Sequence, residues 1–262
     1  MDRSIFLDLH FFQIKWYSIF ILLAMLSGSF IVIKETKKKK FDQDEIINIL
    51  FYGFIVGIIG ARLYYVLFNL SYYQNLLDVI KIWEGGLAIH GGILSALVFI
   101  TWYSKQKKIN LLLLLDCMVV GLILAQSIGR WGNFFNGEAY GRIVSLTFLK
   151  SIHIPKFIIE GMYIQNEYRE PTFLYESILS FIGFIVLLRF RKKKNLKVGQ
   201  LTGLYFIWYG IERLIIEFLR SDSLLLGPFK VAQIISIIFI GMGIVLYRKN
   251  IKKDLKYNEG EI

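Results

Sequence analysis

Seven apolar segments, each near the length of a bilayer crossing, constrain this chain more than any other feature. They cover residues 14–33, 46–70, 87–103, 111–128, 173–188, 199–218 and 231–247. Runs of about 18 or more apolar residues mark membrane helices. Hydrocarbon offers no water to the backbone, so each amide must bond within its own segment. A soluble domain of 262 residues buries one core, not several near-continuous apolar runs. The pattern predicts an all-α polytopic membrane protein of about seven transmembrane helices, a single integral domain over residues 1–262. The third and fifth runs are short, which fits an earlier start or a locally thinned bilayer. No internal repeat or low-complexity linker interrupts them.

Charge sets the expected orientation. The formal net charge is +11, but the cations fall in blocks beside the apolar runs: KETKKKK at 34–40, KQKK at 105–108, RFRKKKNLK at 189–197 and the tail from Arg248. A nucleic-acid binder would carry a basic stripe on a soluble face, so nucleic acid is excluded as a partner and anionic lipid headgroups are favoured. The positive-inside rule places the dense loops in the cytoplasm, the N-terminus outside and the C-terminus inside, in keeping with an odd number of spans. The first span is not read as a cleavable signal, because its basic block follows the apolar run. The longest extramembrane segment, 129–171, then falls outside and reads as a small strand-and-loop head, with alternation at 156–159 and 162–164. Cys117 is the single cysteine, inside an apolar run, so no internal disulfide or thiolate metal site is possible. His10, His90 and His153 show no ligand spacing; neither metal nor cofactor is expected.

Chain direction assigns each intramembrane polar residue a depth, at about 1.5 Å per residue. Tyr17, Arg62, His90, Arg130, Tyr175, Glu176, Tyr209, Arg213 and Glu217 all fall in the outer part of their spans. Ionisable side chains in a bilayer cost about 2.5–3.5 kcal/mol each on insertion scales, so they face an interior cavity and pair. Their common level from separate helices predicts one outward-facing polar site. Tyr209, Arg213, Glu217 and Arg220 share a helical face. They read either as a structural ion-pair ladder or, joined to Arg130, as a surplus of positive charge for an anion, since arginine suits bidentate phosphate contact. His90 reads as a general base or as a hydrogen-bonded histidine at a glycine-lined helix contact. Arg62 reads as a snorkelling side chain, Tyr17 as interfacial belt, Glu176 as a cap or ion-pair partner. Asp116, near the inner end of the fourth span, reads as a packing or hydrogen-bonding residue, and Cys117 beside it as an inert thiol.

The segment that organises the site is GRWGNFFNGEAYGR at 129–142, an arginine on a glycine-rich turn directly after an apolar run. With WY at 16–17, GARLYYVLF at 60–68, GGLAIHGG at 85–92, EPTFLYES at 170–177 and YGIERLIIEFLR at 209–220, it resembles the prolipoprotein diacylglyceryl transferases of bacteria. The motifs stand in the family's order and reach from the first span to the sixth. Two positions depart from the pattern: Glu170 and Phe173 stand where the family usually has His and often Gln.

The resemblance implies transfer of the diacylglyceryl group of phosphatidylglycerol to the lipobox cysteine of a preprolipoprotein signal peptide. A thioether forms and glycerol 1-phosphate is released at the bacterial cytoplasmic (inner) membrane, without cofactor or metal. On that reading Arg130, Asn133, Asn136, Gly141 and Tyr17 bind phosphatidylglycerol, and Arg213 stabilises the departing phosphate. His90, with Tyr209, assists thiol deprotonation. Glu138, Glu217, Arg220 and Arg62 are supporting residues. An anion transporter would also use buried arginines, but no inverted repeat appears and the polar residues crowd one depth. A non-enzymatic scaffold would tolerate Arg→Lys at 130 and 213, whereas a bidentate clamp would not.

Overall fold

A computed structural model describes residues 4–8, 13–73, 75–221, 225–251 and 255–258. His10 lies outside the described residues. The chain is mostly helical, in the order β1 (Ile5–Asp8), β2 (Gln13–Lys15), α1 (Trp16–Lys38), α2 (Gln43–Phe68), α3 (Ile89–Gln106), α4 (Leu111–Asn136), α5 (Leu146–Ser151), α6 (Lys156–Gly161), β3 (Tyr163–Ile164), β4 (Glu167–Tyr168), α7 (Thr172–Phe190), α8 (Gln200–Leu219), β5 (Leu225–Leu226), β6 (Phe229–Lys230) and α9 (Val231–Ile251). Each apolar segment of the sequence is a helix. Five of them, α1, α2, α4, α7 and α9, are long and apolar enough to cross a membrane. Of the other two, α3 opens on His90 and its glycines, and α8 carries Glu212, Arg213 and Glu217.

The residues cluster into two compact units, Met1–Val32 with Leu115–Gly260, and Ile33–Leu114. In the first, helices meet along small residues. A Cβ on Gly28 would lie 3.0 Å from the Gly121 carbonyl, and one on Gly203 would lie 2.9 Å from that of Gly243, so α1 packs closely on α4 and α8 on α9. The N-terminus of α8 is capped from within: buried Asp116 of α4 accepts from the Gly199 amide at 2.5 Å, the Thr202 amide at 2.8 Å and the Thr202 hydroxyl at 2.6 Å. A carboxylate there satisfies otherwise unpaired amides and complements the helix dipole, which is the hydrogen-bonding role its position suggested. Cys117 beside it is buried, its Sγ 3.9 Å from the Tyr257 hydroxyl.

Two local expectations differ. The helix α4 does not stop at residue 128 but runs on through Asn136, so Arg130 sits on a helix rather than a turn. Glycine disfavours helix interiors, but here packing outweighs propensity. Trp16 and Phe20 of α1 stack on Phe135 with ring centroids 5.0 and 5.4 Å apart, and the Tyr17 ring lies against Gly132. The expected strand at 156–159 is instead α6, entered from Pro155. Helical spacing there brings Ile158 and Met162 together against Phe134 and Phe173, the buried core of the segment between α4 and α7. The second alternating stretch does pair, as the hairpin β3–β4.

In the second unit α2 and α3 lie against each other. At one end Glu45 accepts from the Tyr103 hydroxyl and the Lys107 ammonium, each at 2.6 Å. That carboxylate holds the exposed Lys107 ammonium above its usual pKa. At the other end Gly60 and Gly91 touch, and the Ser95 hydroxyl donates to the Gly91 carbonyl at 2.8 Å.

Candidate active site

One carboxylate joins three helices. Glu176, in the first turns of α7, is 1% exposed; its Oε2 is 2.7 Å from Nε of Arg130 on α4, and its Oε1 accepts from Nη1 of Arg213 on α8 at 2.6 Å. Arg213 also faces Glu217 one turn along α8, at 2.9 Å, as their spacing implied. Arginines from separate helices therefore meet, through an acid that the sequence marked only as a cap or pair. Both guanidiniums keep contact with the surroundings, the side chains of Arg130 and Arg213 being 21% and 19% exposed.

Among the described residues the ion pairs joining Arg130 and Arg213 leave no surplus of positive charge. Glu176 enters from α7 and Glu217 from α8, so two guanidiniums face two carboxylates. What remains open is directional. Arg130 meets Glu176 through Nε, and among the described residues its Nη atoms make no hydrogen bond. A planar fork with both terminal nitrogens open suits a bidentate oxyanion.

A second polar level lies one turn further along α7. Glu212, adjacent to Arg213, is buried and its Oε1 accepts from the buried Ser180 hydroxyl at 2.6 Å. Its Oε2 is buried without a hydrogen bond among the described residues. Ser180 is one helical turn after Glu176, so α7 presents both levels on one face. Beside them, the Ser127 hydroxyl donates to the Ser177 carbonyl at 2.8 Å and Trp131 Nε1 to the Ser177 hydroxyl at 3.2 Å, holding the end of α4 on α7. Sequence reading singled out neither Glu212 nor Ser180. The acid inside YGIER was a visible signal; nothing in the sequence marked the serine.

The remaining candidates separate by role. Tyr17 lies against Gly132 of α4. Glu138 accepts from the Asn136 side chain at 2.8 Å, and its amide donates to the Asn133 carbonyl at 3.0 Å, so the two asparagines and this acid close the end of α4. Tyr209 stacks on Tyr205 and meets a tilted Phe239 ring, centroids 6.0 and 5.9 Å away, while Gln126 donates to the Tyr205 hydroxyl at 3.0 Å. Gly141 is a junction: its amide donates to the Glu170 carbonyl at 2.8 Å, its carbonyl accepts from Ser221, and it bridges Arg220. A Cβ there would lie 2.9 Å from Glu170 Cβ and 3.0 Å from the Leu219 carbonyl, so only glycine fits. The Arg220 carbonyl in turn accepts from Lys230 at 2.9 Å, and that of Glu217 at 2.6 Å. Of the two departures, Glu170 meets Arg142 at 3.1 Å and Phe173 stacks on Phe134 at 4.6 Å, so both serve the fold.

Two candidates belong to the other unit. His90 is exposed in the first turn of α3. Arg62 is buried, not snorkelling, because main-chain carbonyls solvate its guanidinium in place of water. Among the described residues no cluster of His, Cys, Asp and Glu is arranged for a metal ion.

Comparison with known proteins bears on this arrangement. The family model described as prolipoprotein diacylglyceryl transferase matches residues 4–248. The chain is 44% identical to the phosphatidylglycerol–prolipoprotein diacylglyceryl transferase of Pediococcus pentosaceus, over 92% of this chain and 88% of that protein. It is 46% identical to the protein of that name in Staphylococcus haemolyticus, over 90% and 85%. For Streptococcus pneumoniae the identity is 42%, over 93% and 92%. The match covers both units and every polar helix described above, and on that ground the chain belongs to the prolipoprotein diacylglyceryl transferase family.

Proposed function

We propose that this protein transfers the diacylglyceryl group of phosphatidylglycerol to the thiol of the lipobox cysteine of preprolipoproteins. In the reaction the cysteine sulfur attacks the glyceryl carbon that bears the phosphate. The C–O bond breaks, a thioether forms, and glycerol 1-phosphate departs with the bonding pair. The thiol proton passes to a base. The observation that carries the reading is the junction of Arg130, Glu176 and Arg213 from three helices, with the Nη atoms of Arg130 open.

Charge grows on the phosphate as the diester becomes a monoester. Guanidiniums already oriented in a low-dielectric site stabilise that charge with little reorganisation. Arg130, with Asn133, Asn136 and Tyr17, holds the headgroup, and Arg213 meets the departing phosphate. Gly141 serves by keeping the signature segment close to α7 and α8. Glu176 and Glu217 keep both arginines extended until the anion arrives, while Glu138 orders the asparagines and Arg220 anchors Gly141. His90 takes the thiol proton, since a protonated thiol is a weak nucleophile and an imidazole nitrogen can accept its proton. Tyr209 orients the reacting groups.

The helices cross the bacterial cytoplasmic membrane seven times, with the N-terminus outside, the C-terminus inside and the segment 129–171 forming the outer head; the alternation of basic loops supports this. Lipid enters laterally between helices, because two acyl chains would not cross a polar head.

The test is a mass-shift assay with purified protein, phosphatidylglycerol and a lipobox peptide. Product is expected from the wild type. Arg130→Ala and Arg213→Ala should each lose about 10²–10³ in turnover while still inserting, the range for removing one preorganised charge-stabilising donor. Full activity in either variant would reject the clamp; no product with the wild type would reject the reaction.

A further inference from the structure

Arg62 stands in the outer part of α2, where a long cation would normally extend to the interface. Its side chain instead turns inward and is 6% exposed. The Nε atom donates to the Val79 carbonyl at 2.7 Å and Nη2 to that of Asp78 at 2.8 Å. The Nη1 atom donates to the carbonyls of Gly85 at 2.6 Å and Gly86 at 3.1 Å. The Tyr73 ring lies 5.3 Å from the guanidinium carbon. Among the described residues Arg62 has no carboxylate partner, and the Asp78 carboxylate is taken by Lys81 at 2.7 Å. One guanidinium thus gathers four main-chain oxygens from the loop between α2 and α3.

The loop backbone is shaped for that task. Gly85 and Gly86 have φ of 92° and 73°, a region that side chains rarely enter, and there they aim two successive carbonyls at one nitrogen. The chain then reaches α3 at once. The Ala88 amide donates to the carbonyl of Ala61, next to Arg62, at 3.0 Å. Gly91 packs on Gly60, with no room for a side chain on either. The residues 60–62 therefore grip the chain on both sides of His90, before it through Gly85, Gly86 and Ala88 and after it through Gly91.

We propose that Arg62 is a positioning residue for His90, and that GARLY and GGLAIHGG are two halves of one device. The proposal rests on the reading of His90 as the base. Lysine would keep the charge but cannot span four carbonyls, since its donors sit on one atom. A misplaced base costs turnover rather than lipid affinity, and about 1 Å of displacement costs up to about a hundredfold.

The experiment measures kcat and KM of peptide transfer for the full chain in phosphatidylglycerol nanodiscs, for wild type, R62K, H90Q and R62K/H90Q. R62K should lower kcat by about tenfold to a hundredfold with KM for the lipid unchanged, and should lower it no further in the H90Q background. Equal loss in both backgrounds, or no loss in either, overturns the proposal. If H90Q alone keeps normal transfer, the base reading fails, and the positioning claim is then read from carbethoxylation of His90. R62K must change that rate severalfold with His153 unaffected; an unchanged rate overturns the claim. Should R62K fail to insert, G86A disturbs the same bonds with the charge intact. A Cβ there would lie 2.6 Å from Arg62 Nη1 and 2.8 Å from the Tyr65 ring, and G86A must reproduce the pattern.

Discussion

Glu176 holds more of the site together than either arginine does. It is buried and ion-paired at both oxygens with different guanidiniums, and among the described residues no further cation is paired with it. Removing one partner of a buried ion pair costs about 3–5 kcal/mol, because the remaining charge stays desolvated. Glu176→Ala should therefore lower the thermal midpoint in detergent far more than Glu138→Ala, whose exposed carboxylate accepts from a neighbouring asparagine amide. Equal effects on thermal unfolding would show that Glu176 is not the hub. The sequence assigned this acid the same expected depth as the arginines. It did not reveal the pairing, because Glu176 and Arg213 are 37 residues apart and only the packing of α7 on α8 brings them to 2.6 Å.

At the scale of elements, helix identity follows from composition, and helix ends follow from neighbours. The apolar runs could be read as helices because lipid leaves the backbone no alternative. The end of α4 could not, because Gly129 and Gly132 argue for a break while the rings of Trp16, Tyr17 and Phe20 stabilise two further turns. The same holds for α6, where alternation suggested a strand and the buried Phe134 cluster selected a helix. The start of α8 depends on a residue far away in sequence. Asp116→Ala would leave the Gly199 and Thr202 amides without their acceptor, a loss of about 1–2 kcal/mol by analogy with other caps. It should raise amide exchange in the first turn of α8 without changing exchange at Arg213; uniform protection along the helix would refute the capping role.

For the whole molecule, the charge pattern makes a prediction about orientation. A cysteine placed at Lys156, exposed beside Glu160, should react with a membrane-impermeant maleimide on intact cells. One at Lys193, in the basic turn after α7, should react only after permeabilisation. Cys117 is buried and gives no background. The reverse labelling pattern would invert the topology that the basic loops imply. The close packing at Gly28 with Gly121 and Gly203 with Gly243 shows why glycines recur in these spans: lipid supplies no hydrophobic drive between helices, so association depends on close approach.

The division between sequence and structure follows the range of the forces. Apolar length and basic loops are local properties, enforced by a solvent that accepts neither bare amides nor free charge, and they could be read directly. Which carboxylate holds which guanidinium, that Gly141 is a junction, that Ser180 supports Glu212, and that Arg62 turns inward onto Gly85 and Gly86 were decided only by tertiary packing. Those contacts join segments distant in the chain. Their formation depends on a few ångströms of helix displacement that no local pattern encodes.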